Sequence, residues 1–218
     1  MGAIARNIAN KITTGGVFTS GAITNNSVTG ITVLANATDG ITLISSQTAS
    51  NSASISFTSG LTSTYKAYKF VFVNIKPATD NVRFQFNMST DSGSNYNVTK
   101  TTTLFQAFQR EDASANGLTY EANNDLAQST GYMNISIGNG NGSDDNLGGS
   151  LLLFNPSSTT YVKHFICTTS YNHNTGDPRE VNTFTAGYGN TTSAINAIDF
   201  NMTSGNISAG KIYLYGIK

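Results

Sequence analysis

KAYKFVFVNIKPATDNVRFQFNMSTDSGSNYN, residues Lys66–Asn97, reads as two strands and the turn between them. In the second strand Val82, Phe84, Phe86 and Met88 fall on one face, and Arg83, Gln85, Asn87 and Ser89 on the other. That period of two marks a strand with one side buried and one side wet. The first strand carries Tyr68, Phe70 and Phe72 on one face and Val71, Val73 and Ile75 on the other. Two apolar faces predict a central strand covered on both sides. Pro77 cannot donate a ladder hydrogen bond, and Asp80-Asn81 supplies turn chemistry. The expectation is an antiparallel pair at the heart of a β-sandwich.

Working outward, the same pattern recurs. Ile55 and Phe57 alternate with Ser54, Ser56 and Thr58, and Met133, Ile135 and Ile137 with Asn134 and Ser136. Further strands are expected over 100–108, 150–154, 161–168, 184–188, 195–202 and 211–217. The intervening stretches are turn-rich: NPSSTT around Pro156, GNGNGSDDNLGG at 138–149 and a loop over 170–181. The segment 109–129 reads as a long excursion with a helical turn. Many short strands with Gly/Asn turns predict an all-β fold, a jelly-roll-like antiparallel sandwich over 52–218.

Residues 1–51 differ. Ile4, Ile8 and Ile12 recur every fourth position in MGAIARNIANKI, the spacing of a short amphipathic helix. A helix this short needs a partner for its stripe. Beyond it, GITVL at 30–34 is echoed ten residues later by GITLI at 40–44. Such pieces hold too few apolar residues to bury a core alone. The reading is an arm that docks or trimerises through Ile31, Val33, Ile41 and Leu43; a linker without fixed structure is the alternative.

Composition narrows the function. Asn, Ser and Thr number 26, 24 and 30, while charged residues make up only 11%. The surface must be wetted by amides and hydroxyls and depend little on salt. Lys plus Arg equals Asp plus Glu at 12 each, without a basic run, so no nucleic-acid partner is expected. No apolar stretch reaches the length of a membrane span, so no membrane insertion is expected, and no secretory signal is visible. The one cysteine, Cys167, is expected as a small buried hydrophobe.

No residue pattern names a reaction, and no cofactor, metal or catalytic residue is assigned. His164 and Cys167, three apart in a strand, point to opposite faces and cannot form a local dyad. Glu111, Asp112, Glu121 and Asp125 are the place to look for a glycosidase carboxylate pair. His173 and Asp177 could ligate a metal on a symmetry axis, and 138–145 loosely resembles a Gly/Asp calcium turn. For a glycan, the candidate contacts are Tyr96, Tyr120, Tyr171 and Tyr188, each in or beside a predicted loop with Asn neighbours; packing and subunit interfaces are the competing roles for such tyrosines.

Several runs resemble a known family: KFVFVNIKPATDNVRFQF with TDSGSNYN, LFNPSSTTYVKHF, AGYGNTTSAINAIDFNMTSGNISAG and the terminal KIYLYGIK. They are similar to a β-domain found in structural proteins of tailed bacteriophages, especially marine ones, over about Ser52–Lys218. The head segment ARNIANKITTGGVFTSGAITNNSV resembles the N-termini of phage tail-fibre and related virion proteins. The resemblance implies a virion component assembled in the host cytoplasm, fibre-like or a capsid decoration. It implies a homotrimer attached to other virion proteins by its arm and displaying its β-domain. A host-surface glycan is a further candidate partner for the displayed domain. The resemblance implies no catalytic or binding residues. A carbohydrate-binding module and a fibre-borne glycan depolymerase are the alternatives.

Overall fold

The computed structural model describes residues 40–218. The expected helix over 1–12 and the arm positions Ile31 and Val33 lie outside the described residues. Among the described residues the chain is all-β and without helix. The strands are β1 (Ile41–Ser52), β2 (Ser54–Phe57), β3 (Ala67–Pro77), β4 (Phe84–Ser89), β5 (Lys100–Arg110), β6 (Asn116–Tyr120), β7 (Met133–Asn134), β8 (Leu147–Phe154), β9 (Lys163–Asn172), β10 (Arg179–Gly189), β11 (Ala197–Met202) and β12 (Ile207–Ile217). All pairings are antiparallel. An eight-stranded sheet runs β1-β12-β3-β8-β9-β10-β5-β6, and a four-stranded sheet runs β2-β11-β4-β7. They pack face to face as a sandwich. Within the expected excursion 109–129, β6 folds back on β5 as a hairpin in place of a helical turn.

The expected hairpin of the Lys66–Asn97 stretch does not form. Its two strands, β3 and β4, belong to different sheets. Both carry a dense aromatic face, and these faces bury each other across the sandwich: Phe72 meets Phe84 edge to face at 5.3 Å. The connection from Pro77 therefore crosses between sheets, tied down where Ala78 N donates to Asn206 O at 2.9 Å. Phe200 of β11 completes the cluster, 5.4 Å from Phe70, 5.3 Å from Phe72 and stacked on Phe84 at 5.8 Å.

Nor is β3 covered on both sides. It is central in its sheet, between β12 and β8, but Val71 and Val73 point outward, half-buried and exposed. Ile75 escapes their face through a bulge. Asn74 adopts φ 52°, the register skips between Phe72 and Ile75, and Ile75 rotates onto the core face. Opposite, Gly210 sits at φ 122°, where a Cβ would lie 2.7 Å from Asn74 O. The wet face of β4 is also partly covered: Arg83 is exposed, but Asn87 and Ser89 are fully buried under neighbouring loops. The domain starts earlier than Ser52. β1 pairs along its length with β12, and the compact unit spans Asp39–Lys218, so Ile41 and Leu43 belong to an edge strand and not to an arm.

Candidate functional site

The two outward faces of the sandwich have opposite chemistry. On the four-stranded sheet the outward positions are Ser54, Ser56, Gln85, Asn87, Asn134, Asp199 and Asn201, aligned in register. They bond to one another: Gln85 Nε2 donates to Asn201 Oδ1 at 2.7 Å, and Ser56 and Tyr132 hydroxyls donate to Asp199. Burial of Asp199 raises its pKa, opposed by those hydroxyls. This is a polar face whose side chains satisfy one another, with Asn87 and Asp199 covered by neighbouring groups.

The outward face of the eight-stranded sheet is apolar. One register row runs Leu43–Tyr215–Lys69–Leu152–Ile166–Ala186–Thr103. The next runs Tyr213–Val71–Ser150–Thr168–Phe184–Phe105–Tyr120. Phe105 and Phe184 stack, centroids 5.1 Å apart, as a ridge. On one side of it lies a groove of about 510 Å³ floored by Ala186 and Thr103 and walled by Phe154, Ile166, His164 and Tyr188. On the other side lies a shallower trough at Ala107 and Asn182. Ile41, Leu43, Leu118 and Tyr120 on its edge strands are each more than half exposed. Such a contiguous apolar face is what partner surfaces look like.

Sequence reading missed this face because its strands are inverted. In β10 the aromatics Phe184 and Tyr188 point out, while Thr183 and Thr185 point in. The eight-stranded sheet is wider than its partner, so the inner side of β9, β10 and β5 is covered partly by the loops of 121–140. Loop backbone demands polar partners. Thr102 Oγ1 accepts from Leu126 N at 2.8 Å, Gln106 donates to Glu121 at 2.7 Å, and Thr169 donates to Ile135 O. Two lysines, Lys100 and Lys163, are buried on this inner side, flanking Gly189 in register. The signal was present in NTFTAGYG as small polar residues alternating with aromatics, without a mark of which side faces in.

At one end of the sandwich the turns β5–β6 and β9–β10 and the loop before β8 converge. Asp177 pairs with Arg110 and lies 3.4 Å from Arg179 Nε and 3.7 Å from His173 Nδ1. Arginine only donates, so His173 Nε2 must accept from Arg179 Nη2 at 3.0 Å, and the imidazole proton sits on Nδ1. Burial, and then the Arg179 charge, lower the His173 pKa and keep the ring neutral. With one nitrogen accepting and the other protonated, the imidazole has no lone pair free for a metal in this arrangement, and the Asp177 carboxylate is engaged by guanidinium groups. In the 138–145 turn, Asp145 accepts from Gly142 N at 2.8 Å. No group of three or more His, Cys, Asp or Glu among the described residues is placed to hold an ion. Beside the cluster, Glu111, Asp144, Asp145, Asn174 and Thr175 line a polar cavity of about 350 Å³ with His173 and Arg179.

The structure scatters the four candidate glycan tyrosines. Tyr171 is a core residue, 2% exposed, its hydroxyl exchanging hydrogen bonds with Ile137 N and O. It cannot stack on a sugar. Tyr96 is half-buried beside the four-stranded sheet, where its carbonyl accepts from Asn87 Nδ2. Tyr120 and Tyr188 alone share a face, the apolar one; Tyr120 donates to Asp125, and Tyr188 packs 5.8 Å from His164. The four excursion acids also separate. Glu111 and Asp112 sit at the β5–β6 turn, whereas Glu121 N bonds Leu104 O seven residues back along β5. At about 3.4 Å per residue that is about 24 Å of backbone, which puts Glu111 and Asp112 beyond the reach of a glycosidase pair with Glu121. His164 points outward and Cys167 inward, 1% exposed. No family model, curated protein or solved structure matches the chain.

Proposed function

We propose that the chain is a non-enzymatic structural protein of a bacteriophage virion, fibre-like or decorating the capsid, that assembles as a homotrimer. Its N-terminal segment, with Ile4, Ile8, Ile12, Ile31 and Val33, attaches it to other virion proteins, and the sandwich is displayed outward. The observation that supports this reading is the split between the two sheet faces. One is a ladder of amides, hydroxyls and a carboxylate that bond to one another; the other is a largely apolar surface suited to burial in an assembly. Ile41 and Leu43 add to the apolar surface from the edge strand.

The strand order supports a jelly roll. Taken in chain order, β1, β2, β3, β4, β7, β8, β11 and β12 switch between two four-stranded layers, β1-β12-β3-β8 and β2-β11-β4-β7, at every step but β4 to β7, which are neighbours in the second. Two inserted pairs, β5–β6 and β9–β10, widen the first layer. Jelly rolls recur in viral capsid and lectin domains, an association of fold and not of site.

A second reading, carbohydrate recognition, is favoured by the polar cavity at the loop end, whose carboxylates, amides and guanidinium match sugar hydroxyls. It is compatible with outward display toward a host-surface glycan. Light scattering on the full chain and on a chain starting at Asp39 tests the assembly. A trimer in the first supports the reading, and the second locates the contact. A monomer in both at all concentrations refutes self-assembly; glycan-array binding by such a monomer establishes the carbohydrate module instead. Recovery of the chain in fixed stoichiometry with density-purified particles tests the virion assignment.

A further inference from the structure

We infer that Lys100 and Asn87 join in a covalent amide, a cross-link the chain makes by itself, which ties β5 of the eight-stranded sheet to β4 of the four-stranded sheet. The inference goes beyond the structural-protein reading and does not depend on it.

Position is the first argument. Both side chains are fully buried, and Lys100 Nζ lies 2.5 Å from Asn87 Oδ1. With a C=O bond of about 1.23 Å, Nζ is at most about 3.7 Å from the carboxamide carbon, close to the separation of a near-attack arrangement. The setting of the amide is the second. Asn87 Nδ2 donates to Tyr96 O at 2.6 Å and to Thr130 O at 3.0 Å, which holds the amide with its oxygen toward the lysine. Met88 N donates to that oxygen at 2.9 Å, so a backbone N–H already faces the atom on which charge develops when the carbon is attacked.

The state of the amine is the third. Among the described residues no carboxylate pairs with Nζ, whose other partner is Val98 O at 2.6 Å. Burial brings its pKa down to about 7, so that about half of the chains carry a neutral, nucleophilic amine at neutral pH. In the step, Nζ attacks Cγ of Asn87, the Nζ–Cγ bond forms and the Cγ–Nδ2 bond breaks. One hydrogen passes from Nζ to Nδ2, which departs as ammonia between the Tyr96 and Thr130 carbonyls. Nothing is oxidised or reduced, and the product is a secondary amide. The sequence holds one cysteine, so no disulfide within it could serve as such a staple. Without an acid or base side chain in contact, closure follows folding slowly. Until then Lys100 titrates as a free buried amine, and intact mass tells the two forms apart.

The test is the intact mass of the full chain, as purified and after days at mildly alkaline pH, followed by digestion and tandem mass spectrometry. The wild type is expected to lose the mass of one ammonia and to yield a branched peptide joining Asn87 to Lys100. Lys100→Met, and wild type held unfolded in guanidinium chloride, are expected to yield no branched peptide. The wild-type result needs no variant to fold. Cyclisation at an Asn-Gly step such as Asn139-Gly140 also releases ammonia, so the branched peptide decides. An unchanged wild-type mass overturns the inference, as does loss of ammonia without that peptide.

Discussion

Lys100→Met removes a buried cation from the inner side of β5, and its effect on stability must depend on pH. Lys100 is fully buried. Its ammonium donates to Asn87 Oδ1 and, at 2.6 Å, to Val98 O, with no carboxylate in contact. Burial pushes the amine down from its ordinary 10.5 to about 7. The unfolded chain therefore binds more protons than the folded one between about pH 7 and 10.5, and stability rises with pH across that window. Below pH 7 both states are protonated and the full penalty, a ceiling of about 5 kcal/mol, is constant. From pH 6.5 to 8.5 the wild type should gain about 2 kcal/mol from this group. Above that range the buried Cys167 thiol, whose pKa is raised by burial, and Tyr171, pushed up to about 12, act in the opposite sense. Methionine has no proton to bind, so Lys100→Met should lose most of the rise; Lys163, also lowered by burial, keeps a remainder. The offset between variant and wild type includes the donor lost to Asn87 and Val98, worth about 1–3 kcal/mol, and drops out of the comparison of slopes. Urea unfolding at one fixed protein concentration, at half-unit pH steps, reads both slopes. Equal slopes for the two proteins would refute the reasoning, since the buried ammonium would then be as well solvated folded as unfolded.

Phe200→Ala, which empties the centre of the aromatic cluster, should cost about 3–5 kcal/mol in the same denaturation assay. Gly210→Ala should cost more than about 1 kcal/mol, because the new Cβ meets the bulge backbone at Asn74 and Ile75 in a positive-φ conformation; Asn74→Gly should be nearly neutral. Cys167, buried and with its thiol pKa raised, should resist a thiol-specific disulfide reagent in the folded protein and react with one equivalent after unfolding. Each outcome is read by urea titration or thiol counting, and free reactivity of Cys167 in the native state would contradict the packing of β9.

What the sequence determined by itself is local. Alternation in SISF at 54–57 and FQFNM at 84–88, and turn residues at Asp80-Asn81 and 138–142, are set by side-chain periodicity and backbone preference, which act within a few residues. They sufficed for an all-β sandwich with short strands in nearly the observed places. Tertiary structure decided what depends on contacts far apart in the chain. Whether 67–77 pairs with 84–89 side by side or packs on it face to face depended on β11 and β12, more than a hundred residues later. Which side of β10 faces in depended on the loops of 121–140, whose backbone groups need the threonines and so turn Phe184 and Tyr188 outward. The bulge at Asn74, which moves Ile75 to the core, depended on Gly210 leaving room for it. The candidate surface was therefore illegible in the pattern: an aromatic that alternates with threonine looks the same from either side until the neighbour that covers it is known.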